Sequence, residues 1–171
     1  MPTQFFSPNP AEIPSYARVE RPRGVVYAGA PRQYRFNGKD GCFYQGGELV
    51  DQELQIQPFE VRWDYGERWG RPAQSWLDVA FADAGSVISI ISFKKDSALN
   101  LFEAFLALHE AGLVPDAVRL YLTSDLRETE DGGFWVVDIA GYEILPEQQY
   151  RDLLEFKESR RFEWILIGEA A

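Results

Sequence analysis

A short segment, residues 62–71, combines side chains of the kinds that bind single-stranded nucleic acid. It reads RWDYGERWGR, so three arginines alternate with two tryptophans and one tyrosine around two glycines. Aromatic rings give bases a surface on which to stack, and arginines contact the phosphates along the strand. The predicted binding residues are Arg62, Trp63, Tyr65, Arg68, Trp69 and Arg71, with Tyr34 and Arg35 in support.

The same segment has a second interpretation, in which it packs rather than binds. Aromatic side chains in folded proteins are more often buried than displayed for a ligand. Trp63 and Trp69 would then lie in the core or cover it, and Arg62 and Arg68 would pair with the neighbouring acids Asp64 and Glu67. The residue types alone leave both interpretations open.

Residue types that serve catalysis or bind metals are scarce. His109 is the only histidine and has no second histidine with which to form a helical zinc pair, and Cys42 is the only cysteine. The glycines between Gly38 and Gly47 match neither common phosphate-loop motif. We therefore predict a protein that is not an enzyme, with no catalytic residue, no metal and no cofactor.

One group of carboxylates keeps an enzymatic alternative open. Glu60, Asp64, Asp78 and Asp83 lie on or beside adjacent predicted strands, and with Lys94 or Lys95 they could form a metal-dependent hydrolytic site. Their spacing matches no known motif. Acids that alternate along a strand are usually solvent-facing, which makes this the weakest of the readings.

Charge is distributed unevenly along the chain. The formal net charge is −10, yet residues 1–95 contain 11 basic and 11 acidic residues, whereas residues 96–171 contain 6 basic and 16 acidic ones. Within residues 13–39, six basic residues accompany a single acidic one, Glu20. An anionic partner should therefore meet the N-terminal half, although the net charge repels a polyanion at long range.

Residues 49–65 have the most informative strand pattern, and the pattern changes phase once. Leu54 and Ile56 fall on even numbers, whereas the apolar residues from Phe59 onward fall on odd numbers. Because proline has no N–H for a strand ladder, the change at Gln57 and Pro58 predicts a bulge or a sharp bend. Further strands are predicted at residues 24–28, 33–37, 42–45, 76–82, 87–93, 118–123 and 134–142, with loops at residues 66–73 and 124–133.

Residues 97–111 have the clearest helical pattern. Apolar residues recur there at helical spacing and predict a buried stripe made of Ala98, Leu101, Phe102, Phe105 and Leu108. Asp96 or Ser97 could cap the start of this helix, and Gly112 could end it.

A second helix is predicted near the C-terminus. Pro146 is placed to begin it, and the pattern extends to about residue 160. Its predicted inner face consists of Tyr150, Leu153 and Leu154. Residues 162–167 are predicted to form a last strand or a docked extended tail.

From residue 50 to residue 144 the predicted order is three strands, a helix and two strands, with a long bent first strand. That order resembles the oligonucleotide/oligosaccharide-binding (OB) barrel. The resemblance is one of element order, covers roughly half of the chain and includes no sequence motif. It implies a mostly β protein with α structure (α+β): a curved antiparallel sheet or an OB-like barrel with one packed amphipathic helix and a C-terminal helix.

The 171 residues fit one domain. Five prolines in the first 22 residues predict an extended N-terminal arm, residues 1–23, followed by a single β-rich globular domain, residues 24–171. The lone cysteine favours the reducing cytoplasm, and no apolar stretch has the length of a membrane span.

Two functions follow from these observations. The first is a non-enzymatic protein that binds single-stranded DNA or RNA through the aromatic and arginine face. The second is a protein–protein interaction or assembly module, in which the N-terminal arm, with Phe5, Phe6 and Tyr16, docks on a partner or on a second copy of the chain.

Overall fold

The computed structural model describes Pro14, Tyr16 and residues 24–167. The predicted N-terminal arm, residues 1–23, therefore lies outside the described residues apart from two positions. The described elements are the strands β1 (Arg32–Asn37), β2 (Cys42–Gln45), β3 (Glu48–Asp51), β4 (Leu54–Arg68), β5 (Arg71–Ala82), β6 (Ile88–Lys94), β7 (Val118–Thr129) and β8 (Gly132–Ile144), with the helices α1 (Lys95–Glu110) and α2 (Glu147–Glu158).

The strands form one curled sheet with the order β3-β2-β1-β6-β5-β4-β7-β8. Strand accounts for 51% of the described residues, and the sheet forms half a barrel, consistent with the predicted α+β class and an OB-like barrel. The sheet is not wholly antiparallel, because β1 and β6 pair in parallel. Predicted strand residues 24–28 form only an isolated parallel bridge, between Val26 and Val87.

The bend predicted in the long strand is confirmed. The register of β4 against β5 shifts between Pro58 and Glu60, where two residues of β4 occupy the space of one. On the early side of this bulge β4 pairs with β7, and on the later side it pairs with β5 alone. The long strand therefore joins the two halves of the curled sheet.

Both predicted loops are wrong, because long hairpins replace them. β4 continues to Arg68, and β5 begins at Arg71 after a turn of two residues, Trp69 and Gly70, whose φ angles are 52° and 73°. Two central residues with positive φ are typical of a type I′ hairpin turn. Likewise, β7 and β8 continue through residues 124–133. These strand ends lack an alternating apolar pattern because they are largely exposed to solvent.

Helix α1 covers one face of the sheet. Ala98, Leu101, Phe105 and Leu108 are buried as predicted, whereas Phe102 is only partly buried. The helix begins at Lys95, directly after β6, and no side chain caps its start. The predicted cap Ser97 is buried, and its hydroxyl accepts a hydrogen bond of 2.9 Å from the backbone N–H of Val137.

Helix α2 and the residues after it cover the other part of the sheet. Leu153 and Phe156 are the buried residues of α2, so Phe156 replaces the predicted Tyr150 and Leu154. Residues 161–167 form neither a helix nor the predicted last strand. The side chain of Gln33 on β1 holds them, donating to the carbonyl of Ile165 (2.9 Å) and accepting from the N–H of Ile167 (3.2 Å).

Candidate functional site

The candidate site lies where two parallel strands stop pairing. β1 and β6 are hydrogen-bonded from Arg32 opposite Ser89 to Tyr34 opposite Ile91. Beyond that pair β1 continues to Asn37 and β6 continues to Lys94, where α1 begins without a loop. In open sheets, the carboxyl ends of parallel strands and the helix that follows them form a favourable place for an anionic ligand.

A pocket of about 820 Å³ occupies this position. Its walls come from β1 and the turn after it, from the tip of the β4–β5 hairpin, from the junction of β6 with α1, and from the start of β8. The volume falls within the range of pockets that hold a small organic ligand.

The pocket wall is strongly basic for a chain with a net charge of −10. Its charged lining residues are five cations and one acid: Arg35, Lys39, Arg71, Lys94, Lys95 and Asp96. A cleft lined by one sign of charge concentrates ions of the opposite sign. The acidic body of the protein therefore lies behind a local positive site.

Three of these cations, Arg71, Lys94 and Lys95, form a cluster that we call the open cation cluster. Partial burial, then the charges of Arg71 and Lys95, lower the pKa of Lys94 to about 8. Within residues 24–167 no acidic side chain forms an ion pair with any of the three. Repulsion among the three charges is thus uncompensated by the described residues, and an anion would relieve it.

Tryptophan rings flank the open cation cluster. The Lys94 ammonium lies 5.9 Å from the ring centroid of Trp76, and the indole of Trp76 donates to the carbonyl of Gly66 (3.1 Å). Trp69 meets Trp76 edge to face, with centroids 5.2 Å apart. Trp69 lines the pocket and is only partly buried, so part of its surface is available to a planar ligand.

The opposite wall is fixed by a contact between the β1–β2 turn and β8. The backbone N–H of Trp135 donates to the carbonyl of Gly38 (2.8 Å). Gly41 has a φ of 73°, and a Cβ atom there would lie 2.6 Å from the ring of Trp135. Only glycine fits this position, and it lets the Trp135 ring pack against the turn at the edge of the pocket.

Two pocket residues have strained backbones. Trp69 (φ 52°) and Lys95 (φ 50°) are two of the four described non-glycine residues with positive φ. Such conformations cost about 1–3 kcal/mol each and are common at ligand sites, where the surrounding structure enforces them. The strain at Trp69 positions its ring on Trp76, and the strain at Lys95 marks the abrupt change from β6 to α1.

A second group of charges lies next to the pocket and is fully paired. Asp78 on β5 is completely buried and accepts hydrogen bonds from Arg62 (2.9 Å), from both terminal nitrogens of Arg68 (2.5 and 2.9 Å) and from Ser92 (2.7 Å). Arg68 also pairs with Asp64. We call these residues the closed ion cluster.

The structure divides the eight predicted site residues among three places. Tyr34, Arg35, Trp69 and Arg71 line the pocket. Arg62 and Arg68 belong to the closed ion cluster, and the Arg62 guanidinium also stacks on Trp164 at 4.5 Å. The packing interpretation offered Asp64 and Glu67 as partners of these two arginines; Arg68 does pair with Asp64, but the carboxylate that both arginines share is Asp78.

The remaining two predicted residues, Trp63 and Tyr65, lie on the opposite face of the β4–β5 hairpin. Their cross-strand partners are Leu77 and Ser75, whereas Arg62 lies opposite Asp78. Trp63 packs edge to face on Phe102 of α1, with centroids 5.6 Å apart, and is 44% exposed. Neither residue can share a ligand surface with the pocket, because adjacent strand residues point to opposite faces.

Tyr34 contributes to the pocket wall mainly as a support. Its hydroxyl donates to Asp83 (2.8 Å), which also accepts from Arg32 (3.0 Å). Burial, followed by the hydrogen bond and the charge of Asp83, raises the pKa of Tyr34 to about 12. Its ring packs on Phe81, with the centroids 5.4 Å apart.

The predicted carboxylate site is not assembled in the described residues. Asp78 is bound by arginines and Asp83 by Arg32 and Tyr34. Among residues 24–167 together with Pro14 and Tyr16, no group of three or more histidine, cysteine, aspartate or glutamate side chains could hold a metal ion.

Sequence reasoning missed the arrangement of Lys94 and Lys95, which it had placed in the carboxylate site, and it missed Trp76 and Trp135. All four residues lie outside the segment 62–71. The available signal was the pair Lys94-Lys95 between a buried strand and a helix, since such a junction places side chains at the end of a sheet.

The chain matches no protein-family model, no curated protein and no solved structure. Of the helices in the described part of the chain, none combines the length and apolar character needed to cross a bilayer.

Proposed function

We propose that this protein binds single-stranded nucleic acid, DNA or RNA, through the pocket at the carboxyl ends of β1 and β6. The observation that carries the proposal is the open cation cluster beside Trp69 and Trp76, in a pocket of about 820 Å³. Binding of this kind needs aromatic rings for the bases and cations for the phosphates. Both kinds of side chain line this pocket, although only Trp69 and Arg71 of the segment 62–71 are among them.

The proposed binding residues are therefore Arg35, Lys39, Trp69, Arg71, Lys94 and Lys95. Arg62 and Arg68 are excluded from direct contact with the ligand, because they satisfy the buried charge of Asp78. No step of catalysis is part of the proposal. We also propose a cytoplasmic location, which the single cysteine favours.

The acidic net charge limits how such binding can work. A polyanion is repelled by the body of the protein at distances up to the Debye length, about 8 Å at physiological salt. Attraction must come from cations that lie closer to the ligand than the acids do, as in the pocket wall. Binding should therefore involve few phosphates and be confined to a short stretch of strand.

Fluorescence anisotropy of a labelled oligothymidine, titrated with the protein at several salt concentrations, tests the proposal. Wild-type protein should bind at low salt, and the logarithm of its affinity should fall with the logarithm of salt at about −0.7 per phosphate contact. The double variant Arg71→Gln, Lys94→Gln should weaken binding and make this slope shallower by about 1.4.

The matched control is Arg127→Gln. Arg127 is an exposed arginine of the β7–β8 hairpin, outside the pocket lining, where it pairs with Asp125. This variant also makes the net charge more negative, but it should leave the affinity for oligothymidine and the salt dependence of that affinity nearly unchanged. Absence of wild-type binding at low salt, or an equal effect of control and pocket variants, would refute the proposal.

A specific surface supports the second candidate, a protein–protein interaction module. Trp63 on β4 packs on Phe102 of α1, and Val61 lies two residues before Trp63 on the same face of β4. Leu99 and Leu106 lie on either side of Phe102 along α1. All four of these side chains are more than a third exposed. We call them the apolar stripe; contiguous exposed apolar surface of this kind is common at protein interfaces.

Analytical ultracentrifugation distinguishes the two candidates. Self-association through the apolar stripe should be nearly insensitive to salt and should be lost in Trp63→Ser, Leu106→Ser. The same variant should retain oligothymidine binding. If the protein is a monomer at all concentrations, the apolar stripe does not mediate self-association.

A further inference from the structure

The pocket has features of a site for one phosphorylated nucleotide rather than for a passing strand. It lies just beyond the last paired residues of β1 and β6, Tyr34 and Ile91. Its volume of about 820 Å³ suits a ligand of small-molecule size. Proteins that bind long single strands instead use an extended groove that follows the backbone.

The charge of the open cation cluster also selects among phosphates. Arg71, Lys94 and Lys95 carry three positive charges, and Asp96 is the single acid among the pocket residues. A phosphodiester within a strand carries one negative charge, whereas a terminal phosphate carries about 1.5 to 2 at pH 7 and has three acceptor oxygens. The clustered cations should therefore attract a terminal phosphate more strongly than a phosphodiester.

The rings next to the cluster provide the second half of the site. Trp69 and Trp76 lie beside Lys94, so a phosphate held by the cluster would leave its attached base within reach of the Trp69 ring. The strained backbones of Trp69 and Lys95 fall on the two sides of this arrangement, one at the rings and one at the cations. Strain at both sides is consistent with a pre-organised ligand site.

We propose that the pocket binds a nucleoside phosphomonoester, with its phosphate among Arg71, Lys94 and Lys95 and its base against Trp69. This inference rests on the proposed nucleic-acid-binding function and adds the chemical group that is recognised. The same chemistry is present at the phosphorylated end of a strand and in a free nucleotide, so the test includes both.

Competition against a bound, labelled oligothymidine is the test, at about pH 7.5, where the phosphomonoester is mostly a dianion. The unlabelled competitors are oligothymidines with a 5′-phosphate, with a 3′-phosphate or with hydroxyl groups at both ends, and free thymidine 5′-monophosphate. One of the phosphorylated strands should compete about tenfold better than the hydroxyl-ended strand.

Variants show whether the preference arises in the pocket. Lys94→Gln should reduce the advantage of the phosphorylated strand to nearly one, and Lys95→Gln, at an exposed position, should reduce it in part. Arg127→Gln, outside the pocket lining, should retain it. Near-ultraviolet circular dichroism of each variant establishes that the fold is intact.

The outcomes separate this inference from the function on which it rests. Equal competition by all three strands overturns the inference while oligothymidine binding stands. If no oligothymidine binds directly but the monophosphate shifts the indole resonances of Trp69 and Trp76, the pocket chemistry stands and the strand-binding function falls. If neither binds, both are overturned.

Discussion

The closed ion cluster and the open cation cluster lie on the same face of β5 and β6, two residues apart along each strand. They differ in the side chains that surround their positive charges. In the closed ion cluster, Asp78 lies opposite Ser92 and accepts hydrogen bonds from Arg62 and Arg68. In the open cation cluster, Trp76 lies opposite Lys94, and no acid of the described chain pairs with Lys94. Two residues along β5, the carboxylate of Asp78 is therefore replaced by the aromatic ring of Trp76 as the neighbour of the cations.

The difference separates charges that maintain the fold from charges that are available to a ligand. A buried carboxylate without partners is very unfavourable, so the arginines around Asp78 are required by the folded state. Cations that are gathered without a carboxylate repel one another, so their charges lower the stability of the folded state. Removing one charge should therefore have opposite effects on stability in the two clusters.

The largest expected effect is that of Asp78→Ala. The change leaves Arg62 and the nearly buried Arg68 without their shared carboxylate, and we expect the free energy of unfolding to fall by about 3–5 kcal/mol. Urea unfolding followed by tryptophan fluorescence measures it. The matched control, Asp125→Ala, removes an exposed pair and should cost less than about 1 kcal/mol. Similar costs for the two variants would contradict the assignment of the closed ion cluster.

A smaller effect of opposite sign is expected for Lys94→Gln. Loss of this charge relieves its repulsion with Arg71 and Lys95, and we expect the free energy of unfolding to rise by about 0.5–1 kcal/mol. The same urea titration detects it. A destabilisation of more than about 1 kcal/mol would show that Lys94 has a stabilising role that the cluster description lacks.

The smallest expected effect is a dependence of stability on pH. The pKa of Lys94 is lowered to about 8 in the folded protein, against about 10.4 in an unfolded chain. Between these values the unfolded state binds more protons at this site, so the contribution of Lys94 to stability rises as pH increases from about 8 to about 10. Arg71 and Lys95 are the charges that lower this pKa, and Arg35, Lys39 and Asp96 are the other charged residues of the pocket lining.

The measurement compares wild type with Lys94→Gln at about pH 7.5 and about pH 9.5. The stability advantage of the variant should shrink at the higher pH, because wild-type Lys94 is then neutral in the folded state. Using the difference between the two proteins cancels the titration of groups that they share. An advantage that is constant with pH would mean that Lys94 keeps its charge throughout.

Much of the fold could be predicted from the sequence because it follows local patterns. The phase change at Pro58 located the bulge, and the apolar spacing located α1. The two loops were mispredicted because exposed hairpins have no buried face to produce an alternating pattern. The turn at Trp69 and Gly70 also departs from the usual Asn-Gly or Asp-Gly, since a tryptophan occupies its first positive-φ position.

The candidate site could be predicted only in part because its residues come from distant elements. Arg62 and Arg68 reach Asp78 across 16 and 10 residues of chain, so a local pattern could suggest only the neighbouring acids Asp64 and Glu67 as their partners. Lys94 joins Arg71 because β5 and β6 are neighbours in the sheet. Trp69 and Arg71 belong to the segment 62–71, whereas the order of the strands in the sheet brings the other pocket residues close to them.

The most direct test uses the indole N–H resonances of the five tryptophans in a ¹H–¹⁵N NMR titration with a 5′-phosphorylated and a 3′-phosphorylated oligothymidine. Trp69, Trp76 and Trp135 line the pocket, whereas Trp63 and Trp164 do not. The account predicts that the first three resonances shift with added strand and that the other two stay in place. Shifts confined to Trp63, or no shifts at low salt, would contradict the pocket as the binding site.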